Sequence, residues 1–344
     1  MNGLVHALHR VVGGHDLDES EAFAAVDVIM AGEGTDAQIG GLLTALRMKG
    51  ETLDEVTGAA RAMRARVVPV RHTIARVVDT CGTGGDGAHT FNVSTAVALV
   101  VAAAGAHVAK HGNRAVSSAV GSADVLEALG VNIDLSPDGV ERCLVRTGLG
   151  FMFAPRHHGA LKHAATTRRQ LGFRTIFNLL GPLTNPAGAT HQLLGIFDGR
   201  KLGLIAQVLG RLGLVRALVV HGPGGLDELG LDAPSRAALL SHGEVRELVI
   251  DPAVLGIEPA PVEALRGGDA ATNAAIVRSV LGGEPGPRAD VVALNAGAAL
   301  WVAERADSIA DGVVRAREIL ASGRALDTLA ALVRESHAAM GVSA

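Results

Sequence analysis

Residues 82–87 read Gly-Thr-Gly-Gly-Asp-Gly, between the β-branched pair Val77-Val78 and an apolar helical stretch from Val93 to Ala104. Glycine permits positive φ and close backbone approach to a ligand. The N–H groups of such a turn, with the helix N-terminus behind it, suit an anion and above all a phosphate. Asp86 would repel bare phosphate unless it accepts from ligand hydroxyls or works near a cation. The chemistry implied is a phosphorylated, hydroxyl-rich, metal-bound ligand. The turn also fits G-x-G-x-x-G through Gly82, Gly84 and Gly87. A dinucleotide site, however, opens its helix at the third glycine and places an acid about 20 residues on. Here five residues precede Val93, and Lys110 and His111 occupy the acid's place. No Gly-Lys-Ser/Thr follows, so a P-loop fails as well.

Three later segments carry further chemistry. Lys110-His111-Gly112-Asn113-Arg114-Ala115-Val116-Ser117-Ser118, with Gly121-Ser122 behind it, gathers cations, an amide and hydroxyls. Lys110 suits phosphate as a point charge, and Asn113 and the serines give directed hydrogen bonds; as a plain loop, Ser122 would only cap a helix. Phe153-Ala154-Pro155-Arg156-His157-His158 leads into a helix with Lys162, His163, Arg168 and Arg169. His158 and His163 lack the i,i+4 spacing of a helical zinc pair. One of the two arginines can hold a carboxylate bidentately, or both can be solvated. In His221-Gly222-Pro223-Gly224-Gly225-Leu226-Asp227-Glu228, the paired acids suit Mg²⁺, which takes one or two carboxylates, water and substrate oxygens. The alternative is a solvated acidic pair.

These segments need a scaffold. With 344 residues the chain can bury a large core and hold about two domains. Residues 1–66 read as helices, with capping boxes at Asp18–Glu21, Thr35–Gln38 and Thr52–Glu55. Ile39, Leu42, Leu43 and Leu46 then form an amphipathic stripe, as do Leu53, Val56, Ala60 and Met63. From Val77 onward, short strands are expected at Val77–Val78, His107–Ala109, Val131–Leu135, Phe151–Phe153, Leu193–Phe197, Ala217–His221 and Val245–Ile250. Helices at 93–104, 123–129, 137–147, 157–171 and 201–212 separate most of them, and Ser136-Pro137 is a helix start. This alternation predicts a mostly parallel sheet covered on both faces, with ligands at the carboxyl ends of its strands. Residues 265–289 read as an exposed loop region around one short helix, and 290–341 as helical.

The fold class is therefore α/β: a small α-helical domain over 1–72 and a large α/β domain with a central, mostly parallel sheet over 73–344. The net charge of −4 gives no footprint for nucleic acid, and Tyr 0, Trp 1 and Phe 7 leave little for base stacking. Cys81 and Cys143 form neither a disulfide framework nor a CxxC pattern. They read as reduced, structural thiols. Asn2, His6, His9 and Arg10 break up any signal-peptide pattern, and the apolar run Val97–Ala106 is too short to span a bilayer. A cytoplasmic protein without membrane contact is expected.

Taken together, the motifs resemble the anthranilate phosphoribosyltransferase family. The segments are Gly82–Gly87, Asn92-Val93-Ser94-Thr95, Lys110–Arg114 with Ser117-Ser118 and Gly121-Ser122-Ala123-Asp124, Arg174-Thr175-Ile176-Phe177-Asn178 through Pro186, and Leu226-Asp227-Glu228-Leu229. They stand in family order and spacing across nearly the whole chain. The resemblance implies transfer of the phosphoribosyl group of phosphoribosyl pyrophosphate (PRPP) to anthranilate, a homodimer through the helical domains, and a helical domain that also takes in about 160–190. It implies PRPP contacts from Gly82, Gly85, Asp86, Thr90, Asn92, Thr95, Lys110, Ser118 and Ser122. Ser94, which also lies in the PRPP segment, Asp227 and Glu228 resemble Mg²⁺ ligands. Asn113 and Arg168 resemble anthranilate contacts, with His111 lining the channel; Lys110, Asn113 and Arg168 are the catalytic candidates. One departure is Gly230, where the family usually has serine, followed by Asp232-Ala233-Pro234-Ser235 in place of a Gly-Pro-Thr turn. Two other readings compete: a pyrimidine nucleoside phosphorylase, disfavoured by Asp86 and the Asp227-Glu228 pair, and a non-catalytic nucleic-acid-binding relative, disfavoured by charge.

Overall fold

The computed structural model describes residues 2–115 and 120–339. The chain opens with α1 (Gly3–Val12), α2 (Glu19–Ala31), α3 (Asp36–Lys49) and α4 (Leu53–Ala65). At α2, α3 and α4 both reciprocal hydrogen bonds of each capping box form. Their apolar stripes meet in one core holding Leu4, Ile29, Ile39, Leu43, Val56 and Met63.

The remainder alternates strand and helix. β1 (Val77–Gly82), α5 (Val93–Ala103), β2 (His107–Gly112), α6 (Ser122–Ala128), α7 (Pro137–Thr147) and β3 (Leu149–Phe153) come first. Then follow α8 (Ala154–His157), α9 (Lys162–Leu171), α10 (Phe177–Leu180), β4 (His191–Gly195), α11 (Leu202–Arg211), β5 (Arg216–His221), β6 (Ser235–Ser241) and β7 (Glu244–Ile250). The chain closes with α12 (Ala270–Leu281), α13 (Pro287–Val302), α14 (Ile309–Ala321) and α15 (Arg324–Ala338). The seven-stranded sheet has the order β3-β2-β1-β4-β5-β6-β7. β1 to β5 pair in parallel, while β6 and β7 add an antiparallel edge.

Alternate residues of β5 divide the interior. Leu218 and Val220 pack with α5 and α13, whereas Ala217 and Val219 pack with α11 and the core of the N-terminal helices. The helix after β1 therefore covers one face and the helix after β4 the other. Neighbouring strands whose connections leave on opposite faces open a crevice at their carboxyl ends. That crevice lies between β1 and β4. Ala164 of α9 and Phe177 and Leu180 of α10 belong to the core of the N-terminal helices, and Thr167 Oγ1 donates to Asp36 of α3 (2.6 Å).

Several expectations need correction. Val131–Leu135 is no strand: Val131, Ile133 and Leu135 are buried, but the Asn132 N–H goes to Ser336 Oγ (3.0 Å), a helix side chain. Its alternation comes from packing against helices. β6 was missing because Ser-Arg-Ala-Ala-Leu-Leu-Ser lacks β-branched residues; sheet pairing overrides that preference. The helix expected within 265–289 is present, but it is longer and better packed than a short helix in a loop: α12 runs 12 residues and buries Ala274, Ile276, Val277 and Leu281. The single helix expected over 157–171 breaks at His158, whose φ of −118° and ψ of 50° are not helical.

Candidate active site

The glycine turn leaves β1 with Gly84, Gly85 and Gly87 at φ of +70°, +72° and +78°, a region that side-chain-bearing residues rarely adopt. β4 carries its first half: the Thr83 N–H donates to Gly195 O (2.9 Å), and the Phe197 N–H donates to Thr83 Oγ1 (3.2 Å). Its second half is held by the chain before α12. The Phe91 N–H donates to Leu265 O (2.9 Å), the Gly267 N–H donates to His89 O (3.0 Å), and Thr90 bridges to Arg266. Asn92 precedes α5 and accepts through Oδ1 from Asn273 Nδ2 (3.0 Å).

Two acids close on the turn from β5. Asp227 Oδ2 accepts from the Gly84 N–H (2.6 Å), and the Asp227 N–H approaches Asp86 Oδ2 at 3.4 Å. Asp86 Oδ1 also accepts from the Ala88 N–H (3.0 Å). Gly195 is required here, because a Cβ on it would stand 1.5 Å from Asp227 O. Burial raises the Asp227 carboxyl, and Asp86 raises it further. Burial likewise raises Glu228, with Asp227 adding to it and Lys110 opposing; the Ser94 backbone amide faces the Glu228 carboxylate.

Lys110, on β2, enters from below. It is 2% exposed, and its Nζ donates to Thr80 O and to Ser94 Oγ (3.2 Å). Burial lowers its pKa, while Asp79, Cys81, Glu228 and Asp227 oppose that shift. Asp79 is wholly buried; it accepts from Asn185 Nδ2 (2.8 Å), and Asn185 also donates to Ala109 O (2.8 Å). Thr95 is buried, and its hydroxyl has no partner among the described residues. Gly82, Gly85, Asp86, Ser94, Lys110, Asp227 and Glu228 are thus gathered around the carboxyl end of β1.

The ends of β2 and β3 form a second wall. Ser122 lies against Gly112, where an added Cβ would meet its hydroxyl at 2.1 Å. Asn113 is exposed; its carbonyl accepts from the Ala123 N–H (3.2 Å). The His111 ring sits 4.8 Å from that of His158. Burial depresses both imidazoles, His111 to well below the ordinary histidine value and His158 to about 4. The Nε2 atoms of both are buried without a partner among the described residues. Ser118 lies outside the described residues.

Arg168 is set apart on α9. Its guanidinium carbon lies 5.3 Å above the Phe177 ring, and burial lowers its pKa. No carboxylate among the described residues pairs with it, and no hydrogen bond joins it to Asn113. Sequence reasoning passed over His158, Asn185 and Asp79 as site residues. An acid inside the buried run Val-Val-Asp-Thr was a readable signal for Asp79. Cys81 accepts from Gln192 Nε2 (3.3 Å), and burial pushes its thiol well up, so it is no nucleophile.

Among the described residues no group of three or more His, Cys, Asp or Glu forms a ready-made metal site. The Asp227 and Glu228 carboxylates and the Ser94 hydroxyl are all hard oxygen donors, which suits Mg²⁺ completed by substrate oxygens. A divalent ion would also relieve the repulsion that raises the two acids. At Gly230 a side chain would meet Pro223 Cδ at 2.8 Å, and the Gly230 N–H donates instead to Ser235 Oγ (3.2 Å).

A helical bundle beside a mostly parallel sheet, with a glycine turn and acids at its crevice, is the layout of a glycosyl transferase family. The helical bundle domain of that family matches residues 5–67, and its a/b domain matches residues 74–326. The anthranilate phosphoribosyltransferase of Thioalkalivibrio sulfidiphilus is 56% identical over 327 residues, 95% of this chain and 97% of that protein. The crystal structure of anthranilate phosphoribosyltransferase from Thermus thermophilus superposes with a TM-score of 0.92 at 46% identity, covering 96% of this chain and 99% of that one. The Saccharomyces cerevisiae enzyme, solved in complex with PRPP and Mg, shares the fold with a TM-score of 0.87 at 24% identity, over 97% of this chain and 98% of that one. The chain belongs to the anthranilate phosphoribosyltransferase family and is a transferase.

Proposed function

We propose that this enzyme transfers the 5-phosphoribosyl group of PRPP to the amine of anthranilate, releasing pyrophosphate and N-(5-phosphoribosyl)anthranilate. In this reading the reaction is Mg²⁺-dependent, is the second step from chorismate to tryptophan, and runs in the cytoplasm in a homodimer joined through the helical domains. The helical domain comprises 1–72 with about 160–190, and the rest of 73–344 is the α/β domain. One observation carries the reading: the glycine turn, Asp86, Asp227 and Glu228 converge at the β1/β4 switch point. That convergence repels free phosphate and suits a cation-bound pyrophosphate, which also disfavours a phosphorylase.

The turn from Gly82 to Gly85, with Asp86, Thr90, Asn92, Thr95, Ser118 and Ser122, holds PRPP. Mg²⁺ on Ser94, Asp227 and Glu228 would offset negative charge on the pyrophosphate. Lys110 adds a buried positive charge beneath the same oxygens and holds Ser94 in place. Asn113 and Arg168 hold the acceptor, and the unpaired Arg168 guanidinium matches its carboxylate. His111, neutral in its buried position, adds no repulsion as positive charge develops on the ribose carbon. The aromatic amine attacks a cation-like carbon, so no activated protein nucleophile is needed, and positioning supplies much of the rate. Mixing enzyme, Mg²⁺, PRPP and anthranilate should give a decay of anthranilate fluorescence that requires PRPP. No decay, with PRPP still bound by calorimetry, would point to another amine acceptor.

A further inference from the structure

The connection from α9 to β4 carries a second arginine that the proposed mechanism leaves unused. Arg174 is half-buried, and its guanidinium carbon lies 3.7 Å from the centroid of the Phe197 ring. No carboxylate among the described residues pairs with it. Phe197 stands two residues past β4 and donates its N–H to Thr83 Oγ1 (3.2 Å), inside the glycine turn. Thr83 in turn donates its N–H to Gly195 O (2.9 Å). The guanidinium thus stacks on the ring of a residue whose backbone N–H is bonded to the turn at the β1/β4 switch point.

The same segment begins with Arg168 over Phe177. Between the two arginines the chain passes through Gly172 at φ +67° and Phe173, which is 42% exposed. Neither residue anchors it. The Thr175 N–H bond to Asn178 Oδ1 (3.0 Å) is local and links the segment only to itself. The far end of the connection is tied to β1 and β2 by Asn185, which donates to Asp79 and to Ala109 O, and Arg174 on Phe197 ties the stretch between α9 and α10 to the donor side of the crevice. A guanidinium can lie flat on a ring, whereas an ammonium is a compact point charge.

We propose that Arg174 is a positioning residue: stacked on Phe197, it ties the segment bearing Arg168 to the glycine turn and sets the amine acceptor relative to the phosphoribosyl donor. This deepens the proposed reaction and rests on it. A small displacement of one reactant is costly when rate depends on alignment.

Initial rates over both substrates test the assignment. Arg174→Ala should raise the anthranilate KM about tenfold and leave the PRPP KM within about twofold. Arg174→Lys should match Arg174→Ala, because it keeps the charge and loses the plane. Phe197→Leu should give the same split, and the double variant should be no worse than either single one. Rescue by lysine would assign a charge role and overturn the proposal. So would additive losses, or an anthranilate KM unmoved while the melting temperature falls. If the wild type itself consumes no anthranilate, the underlying reaction fails and the proposal falls with it. Wild-type turnover with unaltered Arg174→Ala kinetics rejects the positioning role alone.

Discussion

Lys110 carries its charge almost out of contact with solvent, between Thr80 O and Ser94 Oγ, with acids above and Asp79 below. Its surroundings turn it toward the residues that would bind the metal, so in the proposed reaction it acts on substrate through a buried field. Arg168 has the opposite character: a half-buried cation without a carboxylate of its own. Arg168→Ala should raise the anthranilate KM about 100-fold and change that of PRPP far less, since a charge-assisted bidentate pair is worth about 2–3 kcal/mol; equal effects in steady-state kinetics would reject the pairing. Asp86, Lys110, Asp227 and Glu228 were legible because their motifs are local and polar. His158 and Asn185 were harder to read. They act across strands, through a ring contact at 4.8 Å and a 2.8 Å bond to Asp79, and such partners cannot be seen one segment at a time.

Among the elements, β1 and β4 make the site. Their register sets Gly82 beside Gly195, and Asp227 fills the room that both glycines leave. Gly195→Ala should therefore push the 222–228 loop away from the turn. We expect at least about a 100-fold loss of kcat/KM, with a fold destabilised by about 1–3 kcal/mol, as is usual for overpacking. Activity assays beside a denaturant titration check this, and near wild-type turnover would contradict it. Helix starts were easy to read, because the capping boxes at Asp18, Thr35 and Thr52 are set by neighbours in sequence. β6 and the Val131–Leu135 segment were misread because ladder partners, rather than side-chain alternation, decide what is a strand.

At the scale of the molecule, an ion pair and arginine hydrogen bonds tie the N-terminal helices to the α/β part of the chain. Lys201 at the start of α11 pairs with Glu51 at 2.6 Å, and Arg64 donates to Leu183 O (2.7 Å) and Leu212 O (2.8 Å). Among the described residues no helix is long and apolar enough to cross a membrane. One buried histidine should work against the fold in acid. His191 at the start of β4 is 3% exposed, and burial lowers it from 6.5 to about 4. The unfolded chain takes up that proton first, so the stabilisation is full above pH 6.5 and is lost as pH falls through about 4, up to about 3 kcal/mol. The melting temperature of His191→Gln should rise relative to that of the wild type as pH falls across that window; a curve parallel to the wild type would contradict the assignment. The central claim, that the β1/β4 crevice binds PRPP together with a divalent cation, is tested most directly by calorimetric titration of PRPP with and without Mg²⁺. In the wild type Mg²⁺ should tighten PRPP binding by about tenfold or more, and Asp227→Asn with Glu228→Gln should abolish that gain. An undiminished Mg²⁺ gain in the variant, or no PRPP binding by the wild type, would contradict it.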